Sequence, residues 1–242
     1  MRGVQYYFER DLMRWTRSRR AVFASLVMPA AWLIFVGLAL PIRFTNNYLD
    51  FITPGILVMT MLFASLQGGT LLIFDKILGF LNKFLALPVP RESILFGKIL
   101  FIAFRGMLQS TVILGMAVLL GVKINYFATI PLTYFVLFIF GILFSAIATT
   151  IALLVDDYDS YASINSMASM PLFFTSSALM PYELMPHWLR IIASLNPVSY
   201  AIDTIRSLFA GTFLLNGIIE LIVMALAALM ISVYVFRRAT VS

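Results

Sequence analysis

Long runs without charged residues constrain this chain more than any other feature. A helix needs about 20 apolar residues to cross about 30 Å of hydrocarbon, because each residue adds about 1.5 Å. Several stretches reach that length with at most one charged residue inside. They predict six membrane spans, at residues 21–42, 51–74, 99–122, 130–154, 160–181 and 213–236. The predicted fold is an all-α integral membrane protein with six transmembrane helices.

The composition agrees with this class and excludes several kinds of chemistry. The chain is 62% hydrophobic and 12% charged, whereas soluble domains are about 45–50% apolar and about 25% charged. It has no cysteine and one histidine, His187, which is too few ligands for a zinc or haem site. The phosphate-binding sequence G-x-x-x-x-G-K-[ST] does not occur. We therefore expect no enzyme activity, no catalytic or metal-binding residues and no bound cofactor in this chain.

The distribution of Lys and Arg predicts the orientation. Short cytoplasmic loops carry an excess of these residues. With the N-terminus inside, twelve of them fall on the cytoplasmic side and four outside, Arg105 not being counted. We expect a multi-pass protein of the inner (plasma) membrane with both termini cytoplasmic. The net charge of +6 is then explained by anionic lipid, and no nucleic acid partner is expected.

Residues 1–20 have the pattern of an amphipathic helix. Val4, Phe8, Leu12 and Trp15 recur at helical spacing, while arginines follow the same period on another side. This pattern predicts a helix that lies in the cytoplasmic interface. The residues alone leave open whether it is an anchor or helps to hold a partner.

The predicted link between spans two and three, residues 75–98, is longer than a simple turn requires, since helix connections usually take about two to eight residues. It predicts a short cytoplasmic helix that stops at Pro88 and Pro90, because proline removes an N–H donor. This helix has an apolar stripe that either binds a partner or packs back on the interfacial helix. The stripe consists of Ile77, Phe80, Leu81, Phe84 and Leu85.

The predicted external segment, residues 182–211, is apolar but broken by Pro186 and Pro197. It predicts two short helices that dip back into the outer leaflet as a re-entrant pair. Asp203 and Arg206 are three residues apart on the second helix, so they can pair with each other.

Two ionisable residues fall inside predicted spans. Arg105 is expected to extend its guanidinium to the cytoplasmic interface. Glu220 allows three interpretations: it faces a polar cavity, contacts a cationic substrate, or lies at the level of the external headgroups. It is therefore the candidate pathway residue.

Two motifs resemble those of the membrane subunits of type-2 ABC exporters, in particular the branch that includes drug-resistance permeases. The first, L-x-x-P-x-x-R-x-x-x-x-x-G-K, comprises Leu85, Pro88, Arg91, Gly97 and Lys98. The second, P-x-x-x-x-P-x-W-L…N-P-x-x-Y-x-x-D-x-x-R, comprises Pro181, Pro186, Trp188, Leu189, Asn196, Pro197, Tyr200, Asp203 and Arg206.

The resemblance implies a second permease subunit, with a homodimer favoured over a heterodimer, and two copies of a separate ABC ATPase that would hold ATP and Mg. It implies ATPase coupling through Phe80, Leu81, Phe84, Leu85, Pro88 and Arg91. It also implies an external gate formed by Asn196, Pro197, Tyr200, Asp203 and Arg206. The substrate would be an amphiphilic or hydrophobic drug, lipid or lipid-linked glycan.

Two other functions compete with this interpretation. A self-sufficient secondary transporter or channel would need several paired charges at mid-membrane, and Glu220 is the one candidate noted. A membrane transferase would use the acidic cluster around Asp156, but it would need a second acidic cluster to hold its metal.

Overall fold

The computed structural model describes residues 2–39, 47–85, 90–124 and 126–241, and within these ranges it contains helices and no strand. The α-helices are α1 (Arg2–Arg17), α2 (Arg19–Ala31), α3 (Gly37–Ala39), α4 (Tyr48–Gly68), α5 (Thr70–Ile77), α6 (Phe80–Leu85), α7 (Glu92–Leu119), α8 (Ile130–Leu154), α9 (Tyr158–Phe174), α10 (His187–Leu195), α11 (Pro197–Ala210) and α12 (Leu215–Val241). A π-helical turn, Trp32–Val36, joins α2 to α3, and 3₁₀ turns occupy Phe127–Thr129 and Tyr182–Leu184.

Five helical stretches within the described ranges are long and apolar enough to cross a membrane. They are Arg19–Val36, Tyr48–Ile77, Glu92–Leu119, Phe127–Leu154 and Leu215–Ala239. The predicted fifth span, residues 160–181, overlaps α9, a helix of 17 residues that begins at Tyr158 and ends at Phe174. A helix of that length is about 25 Å long. The count of six spans therefore stays a prediction.

The long helices extend further into the predicted coupling region than the sequence indicates. Helix α5 continues past Asp75 to Ile77, and α7 begins at Glu92, seven residues before the predicted start of the third span. The predicted boundaries were set by the charges of Asp75 and Lys98. Both charges are buried in an ion pair, so the helices continue through them.

The bundle is built around α4 and α8. Helix α4 packs against α7 and α8, and α8 packs against α12. Helices α2 and α12 lie at the periphery, where many of their apolar side chains are exposed. Helices α1 and α6 lie at one end of the bundle, which we call the basic end, and α10 and α11 lie at the opposite end.

The residues at the two ends of α11 explain where the helix begins and ends. Asn196 caps its N-terminus by accepting a hydrogen bond from the Val198 N–H, and Pro197 occupies the first turn, where no N–H donor is needed. Gly211 ends the helix with φ = 83°, a conformation that favours glycine. Between these ends α11 packs against α4, α8 and α12.

Close packing of α7 on α4 depends on Gly106. A Cβ atom at this position would lie 2.3 Å from the Met61 sulfur, whereas a Cβ at Gly115, on the same helix, meets no described atom within 4 Å. We expect Gly106→Leu to destabilise the protein by about 1–3 kcal/mol through overpacking, and Gly115→Leu to have little effect. Thermal denaturation in detergent checks this, and equal melting temperatures for the two variants would contradict it.

Candidate functional site

The predicted docking stripe on α6 is divided between two environments. Leu81 is 7% exposed and belongs to the core, and the Phe84 ring packs edge-on against Tyr7 of α1 at 5.2 Å between ring centroids. Phe80 is 42% exposed. The interpretation that the stripe packs back on the interfacial helix therefore describes Phe84. Leu81 is buried in the core, whereas Phe80 is open to a partner.

The exposed apolar surface at this end shares Ile77 and Phe80 with the predicted stripe and adds Leu78. Ile77 and Leu78, which precede α6, are 50% and 58% exposed and extend the surface formed by Phe80. We call these three residues the apolar tip. Helix α6 ends at Leu85, and Arg91 lies exposed directly before α7. The Leu85 side chain and Pro88 lie outside the described residues.

Beneath α6 lies a cluster of four charged side chains that the sequence analysis missed. The Lys98 Nζ lies 2.5 Å from Asp75 Oδ2 and 3.6 Å from Asp11 Oδ2. The Arg10 Nη2 lies 2.6 Å from Asp11 Oδ1 and 2.9 Å from Asp75 Oδ2. The guanidinium carbon of Arg10 also lies 4.6 Å from the centroid of the Phe84 ring. We call Arg10, Asp11, Asp75 and Lys98 the ion cluster.

The electrostatics of the ion cluster are balanced. Its two cations and two anions sum to zero, and the Lys98 side chain is fully buried between the two aspartates. Burial alone would lower the pKa of Arg10, but the charges of Asp11 and Asp75 raise it above its usual value. A charge can be buried in this way when its partners remain in place. A sequence signal existed: Asp11 interrupts an arginine-rich helix, and Asp75 and Lys98 flank the coupling region.

The acidic residues after α8 have structural partners. The Lys76 Nζ donates to the carbonyl oxygen of Val155 at 2.7 Å and pairs with Asp156 at 2.9 Å. Asp157 caps α9 by accepting from the Ser160 N–H at 2.8 Å. Within the described ranges, no group of three or more His, Cys, Asp or Glu side chains is placed to hold a metal ion.

At the opposite end, Asp203 and Arg206 of α11 form an ion pair with 3.2 Å between Oδ1 and Nη1. Both side chains are about one quarter exposed. The Arg206 Nη2 also donates to the carbonyl oxygens of Ser177, at 3.0 Å, and Phe51, at 3.3 Å. Its guanidinium lies over the Phe51 ring at 3.9 Å. Arg206 therefore ties α11 both to α4 and to the segment that follows α9.

Two hydroxyl groups complete the environment of Asp203. The Ser177 hydroxyl donates to Oδ1 at 2.6 Å, and the Tyr182 hydroxyl donates to Oδ2 at 2.8 Å. Burial, followed by the charge of Asp203, raises the pKa of Tyr182 to about 12. The phenol therefore keeps its proton and remains a donor to the carboxylate at neutral pH.

The other predicted gate residues fix the two short helices. The Asn196 Nδ2 donates to the Leu172 carbonyl oxygen at 2.7 Å, which attaches the break between α10 and α11 to the end of α9. The Tyr200 hydroxyl donates to the Ser194 carbonyl oxygen at 2.8 Å. Asn196 and Pro197 begin α11, so the five predicted residues share one end of the bundle.

A polar cavity of about 240 Å³ lies between α2, α4, α7 and α9. Its lining residues are Ala24, Ser25, Met28, Pro29, Thr60, Phe63, Ala64, Gln67, Gln109, Asn165, Ser166, Ser169 and Met170. Gln109 is buried, and its Nε2 donates to the Ser25 hydroxyl at 2.6 Å. The sequence does not indicate this cavity, because its amides and hydroxyls are uncharged and come from four separate helices.

The two ionisable residues of the predicted spans are not among these lining residues, although Arg105 contacts one of them, Ala64. Arg105 is 13 residues past the start of the 28-residue helix α7, and its Nη2 donates to the Ala64 carbonyl oxygen at 2.7 Å. It therefore contacts α4 near the middle of the bundle instead of extending to the basic end. Glu220 is exposed on the second turn of α12 and is not among the residues that line the cavity. Its place in a pathway stays a prediction.

Comparison with known proteins assigns the chain to a family. Residues 2–210 match the family model described as ABC-2 type transporter. A putative transport permease ycf38 of Cyanophora paradoxa is 36% identical over 196 residues, which cover 78% of this chain and 68% of the relative. The similarity therefore extends over most of both chains.

Other relatives are named as drug-resistance permeases. The probable doxorubicin resistance ABC transporter permease protein DrrC of Mycobacterium tuberculosis (strain ATCC 25618 / H37Rv) is 28% identical, with 88% of this chain and 79% of the relative covered. The daunorubicin resistance permease DrrB1 of Streptomyces coeruleorubidus is 30% identical, with 69% and 60% covered. ABC-2 permeases function with ABC ATPase partners. This chain belongs to the ABC-2 type transporter family and is a multi-pass membrane subunit of an ABC transporter.

Proposed function

We propose that this chain is the transmembrane subunit of an ATP-driven exporter that moves an amphiphilic or hydrophobic substrate across the membrane. The observation that carries the proposal is the apolar tip, which lies exposed beside Leu81 and Phe84, two residues that are packed against the protein. Apolar side chains exposed outside the hydrocarbon region mark an interaction surface. The partner is a separate ABC ATPase, which binds the ATP and Mg.

The contacts around α6 support this assignment of the partner. Phe84 and Leu81 hold the helix against the bundle, so Phe80, Ile77 and Leu78 are presented on a fixed base. Burying one such side chain contributes about 1.5–3 kcal/mol. The three residues are about half exposed, so each would contribute part of this free energy to contact with a groove of the ATPase. Two copies of the ATPase would bind two copies of this chain.

The orientation follows from the same assignment. The basic end carries α1, α6 and the apolar tip, so we place it, with both termini, on the cytoplasmic side of the inner (plasma) membrane. Lys and Arg near the ends of spans favour that side. The opposite end, with α10 and α11, then lies at the outer leaflet, where the exposed apolar side chains of α10, among them Trp188 and Leu195, contact lipid.

The polar cavity supports a pathway between two copies of the chain. Gln67 and Ser166 are exposed beside the cavity, and polar groups that face lipid are costly. By contrast, between Glu220 and Arg237 the exposed large side chains of α12 are mainly apolar, as lipid contact requires. They are Val223, Leu226, Met230, Ile231 and Tyr234. A second permease copy, placed against α2 and α9, covers the polar face and completes the route.

The chemistry of the cavity fits an amphiphilic substrate. Amide and hydroxyl groups such as those of Gln109 and Thr60 offer hydrogen bonds, and Phe63 and Met170 offer apolar contact. At the outer end of the route, Asp203 and Arg206 hold the segment after α9 against α4. Their proposed role is that of an external gate, which is closed in this structure and opens when the pair rearranges.

The apolar tip is tested by Phe80→Asp. Because a carboxylate cannot be buried cheaply in an apolar groove, we expect the variant to lose the ATPase during co-purification of the complex from detergent. Leu119→Asp is the matched control, since Leu119 is also an exposed apolar residue but lies at the opposite end of the bundle. Retention of the ATPase by both Phe80→Asp and Leu78→Asp would contradict the assignment.

The pairing of two copies is tested by cysteine cross-linking, which is clean because the chain has no native cysteine. Met167, on α9, is 77% exposed, and Tyr234, on α12, is 65% exposed. We expect Met167→Cys to form a disulfide-linked dimer on mild oxidation in the membrane, and Tyr234→Cys to remain monomeric. The opposite result on denaturing gels would place the interface on α12 instead.

A further inference from the structure

The ion cluster joins the two ends of the coupling region, residues 75–98. Asp75 and Lys98 lie 23 positions apart in the sequence, one near the end of α5 and the other near the start of α7. Their side chains meet at 2.5 Å and are nearly inaccessible to solvent. The Lys98 Nζ also donates to the Leu71 carbonyl oxygen at 3.2 Å, which adds a direct bond to the backbone of α5.

Helix α1 is attached to the same base. A Cβ atom at Gly97 would lie 2.8 Å from the Tyr7 Cβ and 3.0 Å from the Val4 carbonyl oxygen, so glycine lets α1 cross α7 at close range. The adjacent Lys98 then reaches Asp11 of α1. This geometry gives the Gly97-Lys98 pair two distinct roles, close approach and charge pairing.

Arg10 connects this base to α6. It contacts both aspartates of the ion cluster and lies against the Phe84 ring. A displacement of α6 therefore acts on Arg10 directly. Separating α1, α5 and α7 would strip buried charges of their partners, whereas moving them together keeps every pair intact.

We propose that Arg10, Asp11, Asp75 and Lys98 are positioning residues that form a rigid joint between α1, the end of α5, the start of α7 and α6. Without the joint, a displacement of α6 would not be passed to α5 and α7 through the buried charges. With the joint, the motion reaches the two long helices that border the polar cavity. It reaches α4 by way of α5, and it reaches α7 directly. The inference rests on the proposed function for the source of the motion, but the rigidity of the joint is a property of this chain alone.

The joint is tested by the distance between spin labels on α1 and α6. Met13→Cys and Lys83→Cys provide exposed labelling sites near the ion cluster. We expect a narrow distance distribution by pulsed electron paramagnetic resonance in the otherwise native chain. Arg10→Gln should widen it about twofold, because α6 loses its attachment to the aspartates. Arg14→Gln, at an exposed position of the same helix, should leave the width unchanged.

Further variants separate positioning from general stability. Asp75→Asn should widen the distance distribution. Asp75→Glu keeps the charge, so its distribution should be nearly as narrow as that of the native residue. Arg10 is partly exposed, so Arg10→Gln should still fold if Asp75→Asn does not, and the melting temperature of each sample shows this. A distribution that stays narrow in Arg10→Gln, with the protein folded, overturns the proposal.

A second label pair distinguishes a failure of the joint from a failure of the proposed function. In the complex with its ATPase, ATP and vanadate should change the distance between labels at positions 83 and 234 while the distance between 13 and 83 stays constant. A change in the 13–83 distance overturns the joint. If the 13–83 distance is constant and narrow but the 83–234 distance does not respond, the joint is supported and the ATPase-driven motion is contradicted.

Discussion

The structure depends on the pairing of Lys98 with Asp75 and Asp11. An ammonium group with no solvent contact is tolerable only when carboxylates and carbonyls replace its water. Meeting that requirement places α1 on α7, fixes the end of α5, and gives α6 a base on which Phe84 can rest. The exposed position of the apolar tip follows from this arrangement, because Arg10, which both aspartates hold, lies against Phe84 of α6.

The sequence predicted much of the helical architecture because hydrophobic length is a local property. The helix now found at Ile130–Leu154 has the bounds of the predicted fourth span, and the break at Asn196-Pro197 separates α10 from α11. Boundaries near charges were less accurate. Asp75 and Lys98 look like the ends of spans when each is considered alone, and only their three-dimensional contact shows that the helices pass through them.

The candidate sites show the same division between local and non-local information. Asp203 and Arg206, three residues apart, were correctly expected to be within reach of each other. The partners Ser177 and Phe51 come from distant parts of the chain, and no periodicity indicates them. The apolar stripe of α6 was visible as a pattern, but which of its members face α1 depends on Tyr7 and Arg10. The polar cavity was not predictable because each of its helices contributes only a few uncharged groups.

The shortness of α9 has a consequence for how the outer end can open. At about 25 Å the helix is shorter than the hydrocarbon layer of about 30 Å, so the backbone after Phe174 must find hydrogen bonds elsewhere. It finds them on α11, where Ser199 accepts from the Ser177 N–H and Arg206 donates to the Ser177 carbonyl oxygen. Helix α11 thus supplies hydrogen-bond partners for Ser177, while the N–H groups of Thr175 and Ser176 still bond to carbonyl oxygens of α9. Under the proposed function, a movement of α11 away from α9 would leave the Ser177 N–H and carbonyl oxygen without these partners, so we expect the end of α9 to move together with α11.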